Sequence, residues 1–254
     1  MGDYVLKLVT FNIRVDTPID GANRFSFRKS ALITYLKEQS ADIYGFQEVL
    51  PDMNMAVARG LTEYSWVGAP RSENGEACPI YYRSDRIQVI DSGTFWLSPT
   101  SDRQSVIAGS HFIRIASFIV FRYHDFPTLA YFNTHLDYAS DEISKKQFGF
   151  LLEKANEIAD KHEALLIVGG DFNAKPDSKT VLEASCHGLI SIYKQALKPS
   201  VTYHNFGNIM TGEPIDHLFF DQRIKLLDCQ IDTRCYNSTW LSDHYPVIAQ
   251  LAVN

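Results

Sequence analysis

Amides, carboxylates and histidines collect in this chain in six short clusters, each at the point where an apolar, strand-like segment ends. They are Thr10-Phe11-Asn12, Gln47-Glu48-Val49, Asn133-Thr134-His135-Leu136-Asp137, Gly169-Gly170-Asp171-Phe172-Asn173, Ile215-Asp216-His217 and Ser242-Asp243-His244-Tyr245-Pro246-Val247. One such cluster says little, because polar turn residues commonly follow strands. Six of them, with almost no redundancy of residue type, imply a single site. Open α/β sheets gather ligands outside the ends of their strands, where residues distant in sequence meet in one crevice.

The chemistry these side chains suit is metal-assisted hydrolysis of a phosphate ester. Asn12, Glu48, Asp171, Asn173 and Asp243 are oxygen donors, which favour a hard cation such as magnesium, or manganese, over zinc. Such an ion neutralises a phosphate oxygen and the charge that develops on a leaving group. His135 and His244 sit beside carboxylates and can donate to phosphate oxygen or move a proton. Arg114, after Phe112-Ile113, offers a guanidinium whose planar donors match a phosphate. Asp42, Asp137 and Asp177 read as turn or capping carboxylates, and His111, His124, His162 and His187 as surface or packing residues. His204 follows Thr202-Tyr203 and is a further pocket candidate; with Tyr138, Tyr203 and Phe206 it belongs to loops that can shape specificity.

The elements that must position these groups are legible in the hydrophobic pattern. Val5 to Ile13 reads as a strand, Arg28 to Gln39 as a helix with Ala31, Leu32, Tyr35 and Leu36 on one stripe, and Asp42 to Phe46 as a buried strand delivering Gln47 and Glu48. Pro51 opens a short helix through Leu61. From Tyr64 to Thr134 the pattern becomes short alternating runs, at 80–83, 87–90, 94–97, 113–121 and 128–132, expected to be antiparallel strands. Helix returns from Asp141 to His162, and Leu165 to Val168 is a buried strand ending in Gly-Gly-Asp. Strand, helix, strand thus occurs once in each half, with polar clusters at the strand ends each time. Mixed sheets flanked by helices fit that alternation.

With 254 residues and 45% hydrophobic content the chain can bury a large core. Because the clusters run from Thr10 to Val247, one domain over 1–254 and a monomer are expected. Lysine and arginine total 24 against 30 acidic residues, a net charge of −6, which argues against a broad nucleic-acid footprint. Four cysteines form no CxxC pair and no zinc spacing, and read as free thiols of a reducing compartment. No apolar leader or membrane span is visible, so a cytoplasmic location is expected. The Met1-Gly2 start lacks the Ser or Thr that a myristoylation motif requires where Leu6 stands, and Asn237-Ser238-Thr239 reads as a chance sequon.

Taken together, the motifs resemble the endonuclease/exonuclease/phosphatase superfamily, which includes pancreatic deoxyribonuclease, exonuclease III-like repair enzymes, deadenylases, neutral sphingomyelinases and inositol-polyphosphate phosphatases. The stretches 10–14, 47–49, 91–98, 133–137, 170–174 and 242–247 are most similar to its compact bacterial branch. The resemblance implies a four-layer α/β sandwich, two mixed sheets packed face to face with helices on both outer faces. It makes Glu48 the principal metal ligand with Asn12 beside it, and Asp171 and Asn173 the pair that orients the attacking water. It assigns His135 to the scissile phosphate with Asp216 as its carboxylate partner, and Asp243 and His244 to a terminal metal or orienting pair. Glu76 takes the place of the glutamate that steadies His244, and Arg114 that of a phosphate-contacting arginine. The chain departs from the repair enzymes at Ile13-Arg14-Val15-Asp16 and Pro214-Ile215-Asp216-His217, which argues against abasic-site repair.

The expected activity is therefore metal-dependent phosphoesterase action on a small soluble, sugar-derived or lipid-derived ester. A nuclease is the alternative within the same chemistry, and a non-catalytic binding module the alternative from another class, disfavoured because every motif residue is intact. A patch of Arg14, Arg24, Arg71 and Arg114 is the one arrangement that net charge would hide. Duplex DNA should bind weakly in calcium, with a shallow dependence on salt, because few counterions are released. A steep salt slope in a fluorescence-anisotropy titration would restore the nuclease.

Overall fold

The computed structural model describes residues 4–195, 200–236 and 238–253; Met1-Gly2 and the sequon residue Asn237 lie outside them. The strands are β1 (Leu6–Asn12), β2 (Ile43–Gln47), β3 (Tyr64–Val67), β4 (Ile80–Arg83), β5 (Ile87–Trp96), β6 (Ile115–Tyr123), β7 (Leu129–His135), β8 (Leu165–Asp171), β9 (Leu189–Ser191), β10 (Asp216–Asp221), β11 (Ile224–Ile231) and β12 (Val247–Val253). The helices are α1 (Phe25–Gln39), α2 (Pro51–Gly60), α3 (Asp141–His162), α4 (Lys179–Cys186) and α5 (Ile192–Gln195), with a 3-10 turn at Pro18–Asn23. Two six-stranded mixed sheets result, ordered β11-β12-β1-β2-β4-β3 and β5-β6-β7-β8-β10-β9.

Alternation along each inner strand decides which layer a residue joins, since successive side chains point to opposite faces. On β1, Leu6 and Leu8 enter the core between the sheets, while Val9 and Phe11 pack outward among Leu32, Leu36, Met53 and Val57 of α1 and α2. On β7 and β8, Tyr131 and Ile167 face inward, while Phe132 and Val168 meet Phe148, Leu151 and Ala155 of α3. The order is helix, sheet, sheet, helix, the expected four layers. Helix α3 is well specified locally: Ser140 Oγ accepts the Ile143 N–H, Asp141 and Glu142 occupy its first turn, and Lys161 and His162 its last.

The same alternation puts Asn12, Gln47, His135, Asp171 and Asp216 on the inter-sheet faces, all at one end of the sandwich. The paired pattern in the two halves is real: β1 and β2 pair in parallel around α1, as do β7 and β8 around α3, with Asn12 opposite Gln47 and His135 opposite Asp171. Two clusters differ from expectation. Asp216-His217 begins β10 and Ser242–Pro246 precedes β12, so these clusters lead into their strands. Both strands run antiparallel to their neighbours, Asp216 opposite Asp171 and Val247 opposite Thr10, which brings their starts to the shared end. The runs at 87–90 and 94–97 are likewise not separate; most of both belongs to β5, whose register shifts between Val89 and Asp91.

Between the apolar inter-sheet core and the cluster end lies a buried polar tier. Gln47 Nε2 donates to Thr10 Oγ1 at 3.0 Å and to Asn133 Oδ1 at 2.6 Å. Asn133 Nδ2 reaches across to the other sheet, donating to the Phe46 carbonyl at 2.8 Å and lying 3.1 Å from those of Cys78 and Pro79. The sheets approach closely here because Gly45 lacks a side chain: a Cβ there would fall on the Tyr131 hydroxyl of the facing sheet, while one on Gly169 would lie 2.5 Å from Leu218 Cδ2 on the neighbouring strand β10. Gly45→Ala should therefore cost about 1–3 kcal/mol in urea denaturation. Gly149→Ala, in α3 with open space around it, should be neutral or stabilising. Equal effects at the two positions would contradict this packing.

Candidate active site

At the cluster end the strands stop and the backbone turns sharply. Arg14, Glu48 and Asn173 all adopt the left-handed region, at φ 54°, 62° and 49°, which non-glycine residues seldom occupy outside constrained sites. Around them opens a cleft of about 350 Å³ lined by Glu48, Glu76, Arg114, His135, Asp171, Asn173, Asp243 and His244, together with Arg14, Arg71, Phe112, Tyr138 and Tyr203. Asn12 and Asp216 stand behind this lining, fully buried.

Asp171 is the hub. Its Oδ1 accepts the Asn173 N–H at 2.9 Å and its Oδ2 the Asn12 amide at 2.9 Å. The Nε2 atoms of His135 and His244 lie 3.5 and 3.7 Å from the same Oδ2. Asn12 also donates to Glu48 Oε1 at 3.0 Å, so it couples the two carboxylates. Its oxygen accepts the Arg14 N–H at 3.0 Å; Asn12, read in sequence as an oxygen ligand, turns its NH2 to the carboxylates. Glu48 Oε2 accepts the Val15 N–H at 2.9 Å, and Ser242 Oγ donates to the Asn12 carbonyl at 2.6 Å, tying the last cluster to the first.

The partner assignments differ from those the resemblance implied. Asp216 pairs with His244, not His135: its Oδ2 lies 2.8 Å from His244 Nδ1, because β10 sets Asp216 beside Asp171 on the side away from β7. Glu76 pairs with Arg71 at 3.1 Å and makes no bond to His244. His135 Nε2 accepts from the Asn173 amide at 3.0 Å, while its Nδ1 is buried without a partner among the described residues.

These settings split the histidines. Burial opposes a charge on His244, yet Asp216, Asp171 and Asp243 outweigh it and hold its pKa well above the ordinary value. His135 goes the other way, pushed well down by burial and by Arg114, His244 and Arg71. Burial raises the pKa of Asp171, reinforced by Asp216, and burial likewise raises that of Asp243, with Glu48 adding to it.

Glu48, His135 and Asp171 each bring a ligand atom within 4.8 Å of the others. Burial raises the pKa of the Asp171 carboxylate, and carboxylate oxygens of this kind fit a hard divalent cation. The arginines do not form a basic face. Arg14 is held by Asp20 at 2.9 Å, Arg24 by Asp16 at 3.0 Å outside the cleft, and Arg71 by Glu76. Arg114 is buried, 3.7 Å from Asp137. His204 stacks on Tyr245 at 3.8 Å, and neither it nor Phe206 lines the cleft; Tyr138 and Tyr203 do.

Three roles were invisible in sequence. Asp137, read as a turn carboxylate, does accept the Ala139 N–H, but it also binds Ser110 Oγ and the Phe112 N–H, each at 2.8 Å, and so anchors the segment that carries Phe112 and Arg114. Arg71 stands alone in a loop with no local signal. Phe112 is flagged only by its nearness to Arg114.

This arrangement on this fold has a family. The chain belongs to the endonuclease/exonuclease/phosphatase family, whose model matches residues 9–244. It is similar to a family structure from Bacteroides vulgatus at 30% identity and TM-score 0.92, covering 99% of this chain and 100% of that one. A second family protein, from Bacteroides thetaiotaomicron, matches at 24% identity and TM-score 0.92, over 99% and 96% of the two chains. The mannosyl-6-phosphatase Bt3783 of the same organism matches at 25% identity and TM-score 0.91, over 97% and 99%. No curated protein sequence matches the chain. Among the described residues no helix is long and apolar enough to cross a membrane.

Removing the carboxylate charge beside His244 tests the electrostatics directly. Asp216→Asn should lower the His244 pKa toward or below its ordinary value, read from an NMR pH titration of the ring Cε1–H. An unchanged midpoint would show that Asp216 does not hold the charge.

Proposed function

We propose that this protein is a divalent-metal-dependent phosphoesterase that hydrolyses a small, sugar-derived phosphate ester. The observation that carries this reading is the convergence of Glu48, Asp171 and Asp243 with one charged and one neutral histidine around a single small cleft. The pairing of Arg14, Arg71 and Arg114 with carboxylates supports a compact substrate over a polyanion. The likeness to a mannosyl-6-phosphatase over nearly the whole of both chains supports a sugar phosphate.

Glu48 and Asp243 would hold magnesium or manganese, with Asn12 orienting the Glu48 carboxylate and the neighbouring Asp171. When bound, the cation supplies Lewis acidity to a phosphate oxygen and to the departing oxygen. Asp171, its basicity raised by burial, takes a proton from water at Oδ2, while Asn173 fixes its other oxygen. The water oxygen bonds phosphorus in line as the ester oxygen leaves. His244, kept cationic by Asp216, donates to the phosphate as negative charge grows. The Arg114 guanidinium faces the same space and adds a donor to the phosphate, beside neutral His135, whose Nε2 is held by the Asn173 amide.

A panel of phosphomonoesters, phosphodiesters and nucleic acids with Mg²⁺ and Mn²⁺ tests this. Turnover of a sugar phosphate should vanish in excess chelator and in Glu48→Gln, with the fold unchanged by circular dichroism. His135→Ala and His244→Ala should each lower kcat at least about a hundredfold. His187→Ala, an exposed position in another region, should change it less than about twofold. Full activity in chelator would refute the metal-dependent route.

A further inference from the structure

One wall of the cleft is aromatic, open and rigidly held. Tyr138 lies just beyond the strand end that carries His135, lines the cleft, and keeps 57% of its surface exposed. It packs on His111 at 5.0 Å and on Phe112 at 6.0 Å between ring centroids. The Phe112 ring in turn carries the guanidinium groups of Arg71 and Arg114, 4.9 and 5.2 Å from its centroid. Buried Asp137 holds the start of this wall through the Phe112 N–H and its end through the Ala139 N–H, at 2.8 and 2.9 Å. Trp96 Nε1 fixes Arg71 through its carbonyl at 3.0 Å.

Apolar surface left open beside a polar reaction centre, on a frame tied by these hydrogen bonds, marks a place where a ligand supplies the missing contact. Next to it, the Arg71 and Glu76 side chains are 16% and 21% exposed and present paired donors and acceptors. An aromatic face beside a charged hydrogen-bonding pair matches a pyranose, whose C–H face is apolar and whose edge is a ring of hydroxyls. A flat nucleobase could use the same stacking surface, which is why a nucleotide belongs in the comparison.

We propose that Tyr138 is the platform on which the pyranose ring of the substrate's alcohol half stacks, with Arg71 and Glu76 hydrogen-bonding its hydroxyls. This rests on the phosphoesterase reading and adds the shape of the leaving group to it. Tyr138 is thus a specificity residue, acting through ground-state and transition-state binding of the ring and not on the phosphorus.

The test compares three monoesters with the same reacting group: a methyl hexopyranoside 6-phosphate, glycerol 3-phosphate and a nucleoside 5′-monophosphate. Wild type should favour the hexoside in kcat/KM. Tyr138→Ala should reduce the hexoside-to-glycerol ratio at least about fivefold, mainly through KM, and Tyr138→Phe should retain it. A ratio unmoved by Tyr138→Ala, or a wild-type preference for the nucleotide or for the open-chain ester, would overturn the proposal. Hydrolysis of none of the three would instead defeat the reading of a small phosphomonoester as the substrate. In that case calorimetric binding of the same esters to wild type and Tyr138→Ala still decides the platform: loss of hexoside binding supports it, and equal binding overturns it.

Discussion

Asn133 is where the two sheets are fastened to each other. Its side chain leaves β7, crosses the inter-sheet space and meets main-chain carbonyls of β2 and of the segment entering β4, while accepting from Gln47. Carbonyls buried in such a gap would cost stability if left unpaired, so the amide is tied to one depth and one separation. Glu48 follows Gln47 directly, and His135 lies two residues beyond Asn133 on the same face. The distance between the halves of the site is therefore inherited from a bond made one tier below it. The missing side chain of Gly45 allows that tier to close.

Above the tier, charge is sorted by geometry. Asp216 lies on β10, beyond β8 from His135, and so raises the pKa of the His244 imidazole, while burial and Arg114 lower that of His135. Asn12 does the complementary work among the acids, with one NH2 group satisfying Glu48 and Asp171 together. Two histidines with nearly the same sequence setting are thereby pushed in opposite directions, His244 upward by a carboxylate that strand order sets beside it and His135 downward by burial.

That explains what the sequence could and could not reveal. The strands, the two strand-helix-strand units and the membership of the cleft were legible because alternation of period two and clusters at strand ends are local signals, whereas the four layers followed only from the resemblance to the family. Glu48, His135, Asp171, Asn173, Asp243 and His244 carried such signals, and all line one cleft. Which carboxylate serves which histidine was not legible, since Asp216 and His244 are brought together by an antiparallel pairing between distant segments. Asp137 looked like an ordinary turn residue because its larger task, holding the 110–114 segment, is done across 25 to 27 positions of chain. Arg71 had no local pattern at all.

The sheet that carries Glu48 is assembled from both ends of the fold: β1 to β4 on one side, β11 and β12 on the other. Asp243 and His244 arrive just ahead of its final strand, and Ser242 latches onto the Asn12 carbonyl more than two hundred positions earlier. During synthesis, then, no intermediate length ending before Ser242 can assemble the centre, however well its own helices and hairpins have formed. The centre closes only with the docking of β12, and a chain that stops short of Ser242 lacks Asp243 and His244 from its cleft by topology.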